Sequence, residues 1–98
     1  QIKHAQLTYG AGMLMLGDAK QDDFAKLFAH PSDIQGRETV TMTVTVSDCK
    51  AHYERAKAAG AKIISDYEEK DYGGAGYGCR DLEDHIWWFG SYDPWHTP

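Results

Sequence analysis

The stretch TVTMTVTVSDCKAHYERAKAAG, at residues 39–60, decides the fold class. Its first nine residues alternate with period two, which predicts a strand with one apolar face and one threonine face. The apolar face carries Val40, Met42, Val44 and Val46. Asp48 is a good N-cap and Gly60 suits the position just after a helix, so their spacing predicts a helix over residues 49–59. The stretch therefore predicts a strand that leads directly into a helix.

The sequence after this stretch predicts three further strands. Residues 61–67 read as a strand, residues 68–76 as a charged, glycine-rich connection, and residues 77–81 and 85–92 as two strands joined by a turn at 82–84. The order from residue 39 is therefore β-α-β-β-β. The glycine-rich run at 73–78 lacks a P-loop lysine and precedes a strand, so it is not a phosphate cradle. We interpret it as a flexible loop, suited to act as a lid.

The sequence before this stretch predicts a hairpin and a long connection. Residues 2–9 and 12–16 are apolar-rich runs separated by Gly-Ala-Gly, which is typical of a tight β-turn. Residues 22–30 carry Phe24, Leu27 and Phe28 at helical spacing and predict a short helix that Pro31 stops. Residues 31–37 have loop composition and form the only candidate linker.

Composition restricts the classes of protein and partner. The chain has 98 residues, a length that indicates one domain. Its net charge of −5 argues against nucleic acid or an anionic membrane as partner. Its longest apolar run, residues 13–16, is far too short to span a bilayer. The two cysteines lack Cys-x-x-Cys spacing, which favours a reducing, cytoplasmic location over a disulfide framework. A lowered pKa at Cys49 is physically feasible at a helix start, but no base is identifiable beside it.

Several of these stretches resemble the glyoxalase/bleomycin resistance/dioxygenase (vicinal oxygen chelate) superfamily, and most closely its glyoxalase-like branch. Residues 46–49 and 56–63 resemble the strand and helix of its second module, and residues 72–87 resemble its closing hairpin. Residues 4–10 and 13–17 resemble the last two strands of its first module. The closing turn departs from the family pattern, since Leu82 replaces a common proline and Asp84 a common glycine. Asp tolerates the left-handed conformation that this turn requires.

The resemblance implies an α+β fold of βαβββ modules, with the second module complete and the first one partial. We divide the single domain, 1–98, into a hairpin remnant of the first module (1–17), a connection (18–38), the complete second module (39–93) and a tail (94–98). A half-built first sheet leaves an edge and an apolar face exposed. We therefore expect a homodimer in which the partner covers that face; that the chain is a fragment is the competing explanation.

The same resemblance bears on metal binding. Metal-using members of the superfamily hold a divalent ion with His and Glu residues on inward-facing strand positions, and three of those positions fall on Met15, Thr41 and Trp88. These side chains are poor ligands for a hard cation. The histidines show no paired ligand spacing, which leaves His4 and His85, both at strand ends, as the remaining metal candidates. We predict no cofactor and disfavour a divalent metal.

The replaced ligand positions predict a binding surface for an organic molecule. Such surfaces are mostly apolar, with a few placed polar groups. Two tyrosines that flank the glycine-rich run are positioned to close over a ligand. The predicted ligand-binding residues are Met15, Thr41, Thr43, Trp88, Tyr72 and Tyr77. The competing interpretation of the aromatic residues is core packing or dimer contact.

The sequence thus predicts a metal-free small-molecule binding protein of the glyoxalase/bleomycin-resistance type. Its ligand would be a small aromatic or cationic molecule held in a cleft shared across a dimer, since negative charge favours cations. The alternative from the enzyme class is a metal-dependent lyase, isomerase or dioxygenase of the same superfamily. A third hypothesis is a fragment without a ligand.

Overall fold

A four-stranded mixed sheet forms the larger part of the molecule. The computed structural model of the chain describes residues 4–17, 26–71 and 73–93. The strands of this sheet are β3 (Met42–Thr45), β4 (Lys62–Glu69), β5 (Ala75–Arg80) and β6 (Ile86–Gly90), in the spatial order β3-β6-β5-β4. Strand β3 runs parallel to β6, and the other neighbours are antiparallel. The predicted β-α-β-β-β order is confirmed.

A single α-helix, α1 (Cys49–Ala58), joins β3 to β4 and covers one face of this sheet. The Asp48 carboxylate accepts a hydrogen bond from the Ala51 backbone N–H at 3.1 Å, and Gly60 follows the helix with φ of 93°. Both predicted helix ends are therefore confirmed within a residue. The buried apolar core lies between helix and sheet and consists of Val46, Cys49, Tyr53, Ala75, Tyr77 and Cys79.

The chain begins with a separate two-stranded hairpin of β1 (His4–Tyr9) and β2 (Gly12–Gly17). Tyr9 pairs with Gly12 across a two-residue turn, and Gly10 takes the positive φ of 57° that the turn needs. Directly paired residues share a face, so one side of the hairpin is apolar. This apolar hairpin face consists of Ala5, Leu7, Tyr9, Leu14 and Leu16.

The hairpin projects from the rest of the molecule. Within the described ranges, a single hydrogen bond joins it to the sheet, from the Tyr9 hydroxyl to the Thr45 carbonyl at 3.2 Å. The molecule measures 47 × 27 × 23 Å and has a radius of gyration of 15.3 Å. A compact domain of this length has a radius of gyration of about 13 Å. The apolar hairpin face remains exposed, with Leu7 at 48% and Tyr9 at 61% of full accessibility.

The segment before the sheet differs from its prediction. Residues 31–34 form a 3-10 helix instead of a loop, because Pro31 suits the first helical position and the His30 side chain caps it. Pro31 therefore begins a helical turn, whereas the sequence analysis predicted that it would stop one. Residues 26 and 27 are 3-10 helical, residues 28–30 are not helical, and residues 22–25 of the predicted 22–30 helix lie outside the described residues.

The predicted strand at 39–47 is also shorter in the structure, because only Met42–Thr45 pair with a neighbour. Val40 is 74% exposed and does not join the apolar face of the strand. In the described parts of the chain, no helix is both long enough and apolar enough to cross a bilayer.

Candidate functional site

The face of the four-stranded sheet opposite α1 carries hydroxyls, glycines and one indole. We call it the open face and define it by Thr41, Thr43, Thr45, Gly76, Gly78 and Trp88. It arises from the period-two alternation of the strands, because the intervening residues of β3, β5 and β6 point to the helix side. Thr43 and Thr45 are exposed, and Trp88 keeps 36% of its accessibility.

The Trp88 indole lies over Gly78 of the neighbouring strand. Trp88 is directly opposite Gly78 in the β5–β6 register. A β-carbon added at Gly78 would come within 2.5 Å of the indole Cζ3 atom, so only a glycine leaves room for the ring. The indole N–H donates to the Thr41 hydroxyl oxygen at 3.1 Å, which fixes the ring in its own plane. The indole therefore occupies the space above Gly78, while part of the Trp88 side chain stays accessible.

Three of the predicted ligand-binding residues meet here. Thr43 is the β3 partner of Trp88, and Thr41 holds its indole. Met15 is 56% exposed and belongs to the separate hairpin, on the side opposite the apolar hairpin face. Tyr72 lies outside the described residues.

The prediction that Tyr77 closes over a ligand is wrong. Its side chain is 2% exposed and lies in the core beneath α1, where its hydroxyl is 2.6 Å from His52 Nδ1. Burial raises the pKa of Tyr77 to about 12, so its hydroxyl stays protonated in the hydrogen bond with His52. The Phe89 ring stacks on Tyr77 with centroids 5.5 Å apart. Tyr77 is therefore a core residue.

The glycine-rich run at 73–78 is mostly strand and not a lid. Strand β5 includes Ala75 through Gly78, and Gly76 pairs with Gly90 of β6. Only Gly73 and Gly74, both with positive φ, belong to the preceding turn. The glycines keep the open face free of side chains next to the Trp88 indole.

The two metal candidates lie in different environments. His4 is exposed on β1. His85 Nδ1 is 3.2 Å from the Glu38 carboxylate, and the nearby His30 Nε2 is 3.6 Å from Glu83. Over residues 4–17, 26–71 and 73–93, no three His, Cys, Asp or Glu side chains are grouped to hold a metal ion. No sequence pattern points to Glu38, because its position beside His85 depends on how the chain folds back over 47 residues.

The cysteines are buried thiols. Burial raises the pKa of Cys49, and the Asp48 carboxylate raises it further, so the helix start does not activate this thiol. Burial likewise raises the pKa of Cys79, with a smaller effect from Asp81. Both thiols are therefore poor nucleophiles.

Comparison with known proteins identifies relatives by structure. No family model and no curated protein matches the chain. The crystal structure of TioX from Micromonospora sp. ML1 superposes with a TM-score of 0.63 and 31% sequence identity, over 90% of this chain and 67% of TioX. This chain belongs to the TioX family. A solved structure described as a conserved domain protein matches with a TM-score of 0.64 over 90% of this chain and 69% of its own. At 20% identity, that protein shares the fold of this chain. The predicted α+β class is confirmed.

Proposed function

We propose that this TioX-family chain is a metal-free small-molecule binding protein of the glyoxalase/bleomycin-resistance type. Its ligand is a planar aromatic molecule, preferably a cation, that stacks on Trp88 in a cleft shared across a homodimer. The observation that carries the proposal is the Trp88 indole, which lies over Gly78, is hydrogen-bonded to Thr41 and remains partly accessible.

A fixed indole suits this role for energetic reasons. Its orientation is set by the hydrogen bond to Thr41, so less side-chain entropy is lost when a ligand stacks on it. Aromatic stacking contributes about 0.5–1.5 kcal/mol beyond the area buried, and a cation over a tryptophan face adds a comparable amount. The net charge of −5 attracts cationic ligands over longer distances.

The donor chemistry of the open face supports binding without a metal. The Thr41 hydroxyl oxygen already accepts a hydrogen bond from the indole N–H. The Trp88 indole is a donor only and has no atom that could coordinate a metal ion. Met15, at the third replaced position, offers only a soft thioether sulfur.

The second wall of the cleft would come from another copy of the chain. The hairpin carries Met15 but contacts its own sheet near Tyr9, at the hairpin tip. Its apolar face is exposed in the single chain, and burying such a face is the usual reason for dimerisation.

A fluorescence titration with N-methylquinolinium, a planar aromatic cation, tests the binding proposal. We expect saturable quenching in the wild type and at least tenfold weaker binding in Trp88→Ala. Trp87→Phe is the matched control, because the Trp87 indole donates to Asp81 and packs against the helix-side core. Linear, collisional quenching in the wild type, or saturation that survives in Trp88→Ala, would overturn the proposal.

Metal analysis of the purified, dialysed protein tests the second part. We expect less than about a tenth of an equivalent of divalent metal, since none of the three replaced positions supplies a good ligand for a hard cation. One equivalent retained through dialysis would instead favour a metal-dependent lyase, isomerase or dioxygenase.

A further inference from the structure

A second, smaller site lies where the 3-10 helix meets the closing turn. It is a half-open cavity of about 170 Å³, bounded by residues 29–40 and by His85. Four apolar side chains form much of its wall: Ala29, Pro31, Ile34 and Val40. Its volume is close to that of cavities of about 150 Å³ that hold a benzene ring. The cavity therefore accommodates a branched aliphatic or small aromatic group.

One acidic side chain in this cavity is largely buried, and its carboxylate is only partly paired. The Glu38 side chain is 10% exposed, and its Oε1 atom lies 3.2 Å from His85 Nδ1. No hydrogen bond joins its second oxygen, Oε2, to the described residues, and this oxygen keeps some access to solvent, since no buried side-chain oxygen there lacks a partner. A carboxylate in such surroundings gains from a charge-assisted hydrogen bond to a cationic donor. The His85 contact orients the carboxylate and leaves Oε2 for that donor.

The cavity also carries a permanent positive charge. Arg37 lines it beside Glu38, and within the described residues its guanidinium makes no ion pair. A simple cation would be attracted by Glu38 and repelled by Arg37, whereas a zwitterion satisfies both groups. An arginine guanidinium also matches the geometry of a carboxylate.

We propose that this cavity binds an apolar α-amino acid or a molecule with the same zwitterionic headgroup. The ammonium group pairs with Glu38, the carboxylate pairs with Arg37, and the apolar side chain occupies the wall of the cavity. The site is separate from the Trp88 indole and does not depend on the proposed function.

Isothermal titration calorimetry with L-leucine tests the proposal, using two probes that keep most of its apolar body. 3-Methylbutylamine lacks the carboxylate, and 4-methylpentanoate lacks the ammonium group. We expect L-leucine to bind at least tenfold more tightly than either probe, and Glu38→Gln or Arg37→Gln to weaken L-leucine binding at least tenfold. Glu38→Gln preserves a hydrogen-bond acceptor for His85, and thermal unfolding verifies that the variant folds.

Matched controls separate this site from other charges and from the open face. Glu83→Gln removes a carboxylate from the same region whose side chain is 72% exposed and does not line the cavity, so it should leave L-leucine binding unchanged. Trp88→Ala should also leave it unchanged. The proposal is overturned if 10 mM L-leucine gives no saturable heat with the wild type, if either probe binds as tightly as L-leucine, or if Glu38→Gln binds as the wild type does.

Discussion

At the scale of single residues, the open face depends on an absent side chain. Gly78 has an ordinary backbone conformation, so the constraint there is space and not φ. The Trp88 ring occupies the volume that a β-carbon would need, and Thr41 then fixes the ring by one hydrogen bond. A glycine opposite a large aromatic residue on neighbouring strands thus leaves room for an aromatic platform over the sheet.

Gly78→Ala should displace this platform. The added methyl group would overlap the indole, which must tilt away from the sheet and lose the bond to Thr41. We expect the free energy of unfolding to fall by about 1 kcal/mol. Overpacking destabilises the folded protein by about 1–3 kcal/mol, and replacing a glycine restricts the unfolded chain, which offsets about 0.4–1 kcal/mol of that loss. Urea unfolding and the near-ultraviolet circular dichroism of tryptophan measure both effects.

Gly76→Ala is the control on the same strand and face. Its β-carbon would meet the Phe89 carbonyl oxygen at 3.3 Å but would not contact Trp88. Its near-ultraviolet spectrum should match that of the wild type. A wild-type spectrum in Gly78→Ala would show that the indole is not fixed against the sheet.

At the scale of elements, the sequence predicts well where a pattern is long and local. The alternation around Met42 and Val44 correctly assigns the faces of β3, and Asp48 and Gly60 mark the ends of α1 because capping depends on nearby residues. The αL turn at Asp84 is also correct, with φ of 66°. These features are determined by neighbours within a few positions.

Strand β5 shows where local patterns fail. Its glycines give the segment the composition of a loop. Ala75, Tyr77 and Cys79 nevertheless alternate on the helix side of the strand and are buried. The strand is stabilised by pairing with β6 and β4 and by the helix above it, which are contacts distant in sequence. The two-residue spacing of Ala75, Tyr77 and Cys79 is the sequence signal that places Tyr77 in the core.

The helix–sheet interface should weaken in mild acid through His52. Its Nδ1 is hydrogen-bonded to the Tyr77 hydroxyl at 2.6 Å, and burial, with a smaller effect from Arg55, lowers the pKa of His52. The unfolded chain therefore binds a proton more readily, near the ordinary histidine pKa of about 6.5. The free energy of unfolding should be highest above that pH and should fall as the pH drops below it.

Urea midpoints measured from pH 7.5 to 5.0 test this expectation. His52→Asn keeps an acceptor near the Tyr77 hydroxyl but cannot be protonated, so its midpoint should vary less with pH than that of the wild type. His4→Asn, at an exposed hairpin position, should retain the wild-type dependence. Equal pH dependence in His52→Asn and the wild type would contradict a role for this pair.

At the scale of the whole molecule, the features that could not be predicted are contacts between segments that are distant in sequence. Glu38 reaches His85 across 47 residues, and Thr41 reaches Trp88 over the same separation. The resemblance placed Thr41 and Trp88 on one face because a known fold supplied the long-range pairing. Glu38 occupies no position of that pattern, and only the fold-back of the 3-10 segment shows its burial.

The shape of the molecule leads to the last prediction. A projecting hairpin with an exposed apolar face is costly to leave in water, and a second copy of the chain is the occupant we propose for it. Leu7→Glu places a charge in the middle of that face. Because Leu7 is 48% exposed in the single chain, the substitution should cost the monomer's stability little, about 1 kcal/mol or less. It should, however, raise the dimer dissociation constant at least a hundredfold, since the partner surface would bury an unpaired carboxylate.

Thr8→Glu introduces the same charge on the other side of the same strand and should remain dimeric. Sedimentation equilibrium of the three proteins decides the matter. A monomeric wild type excludes the dimer, and a Leu7→Glu variant that dimerises like the wild type excludes this face as its interface.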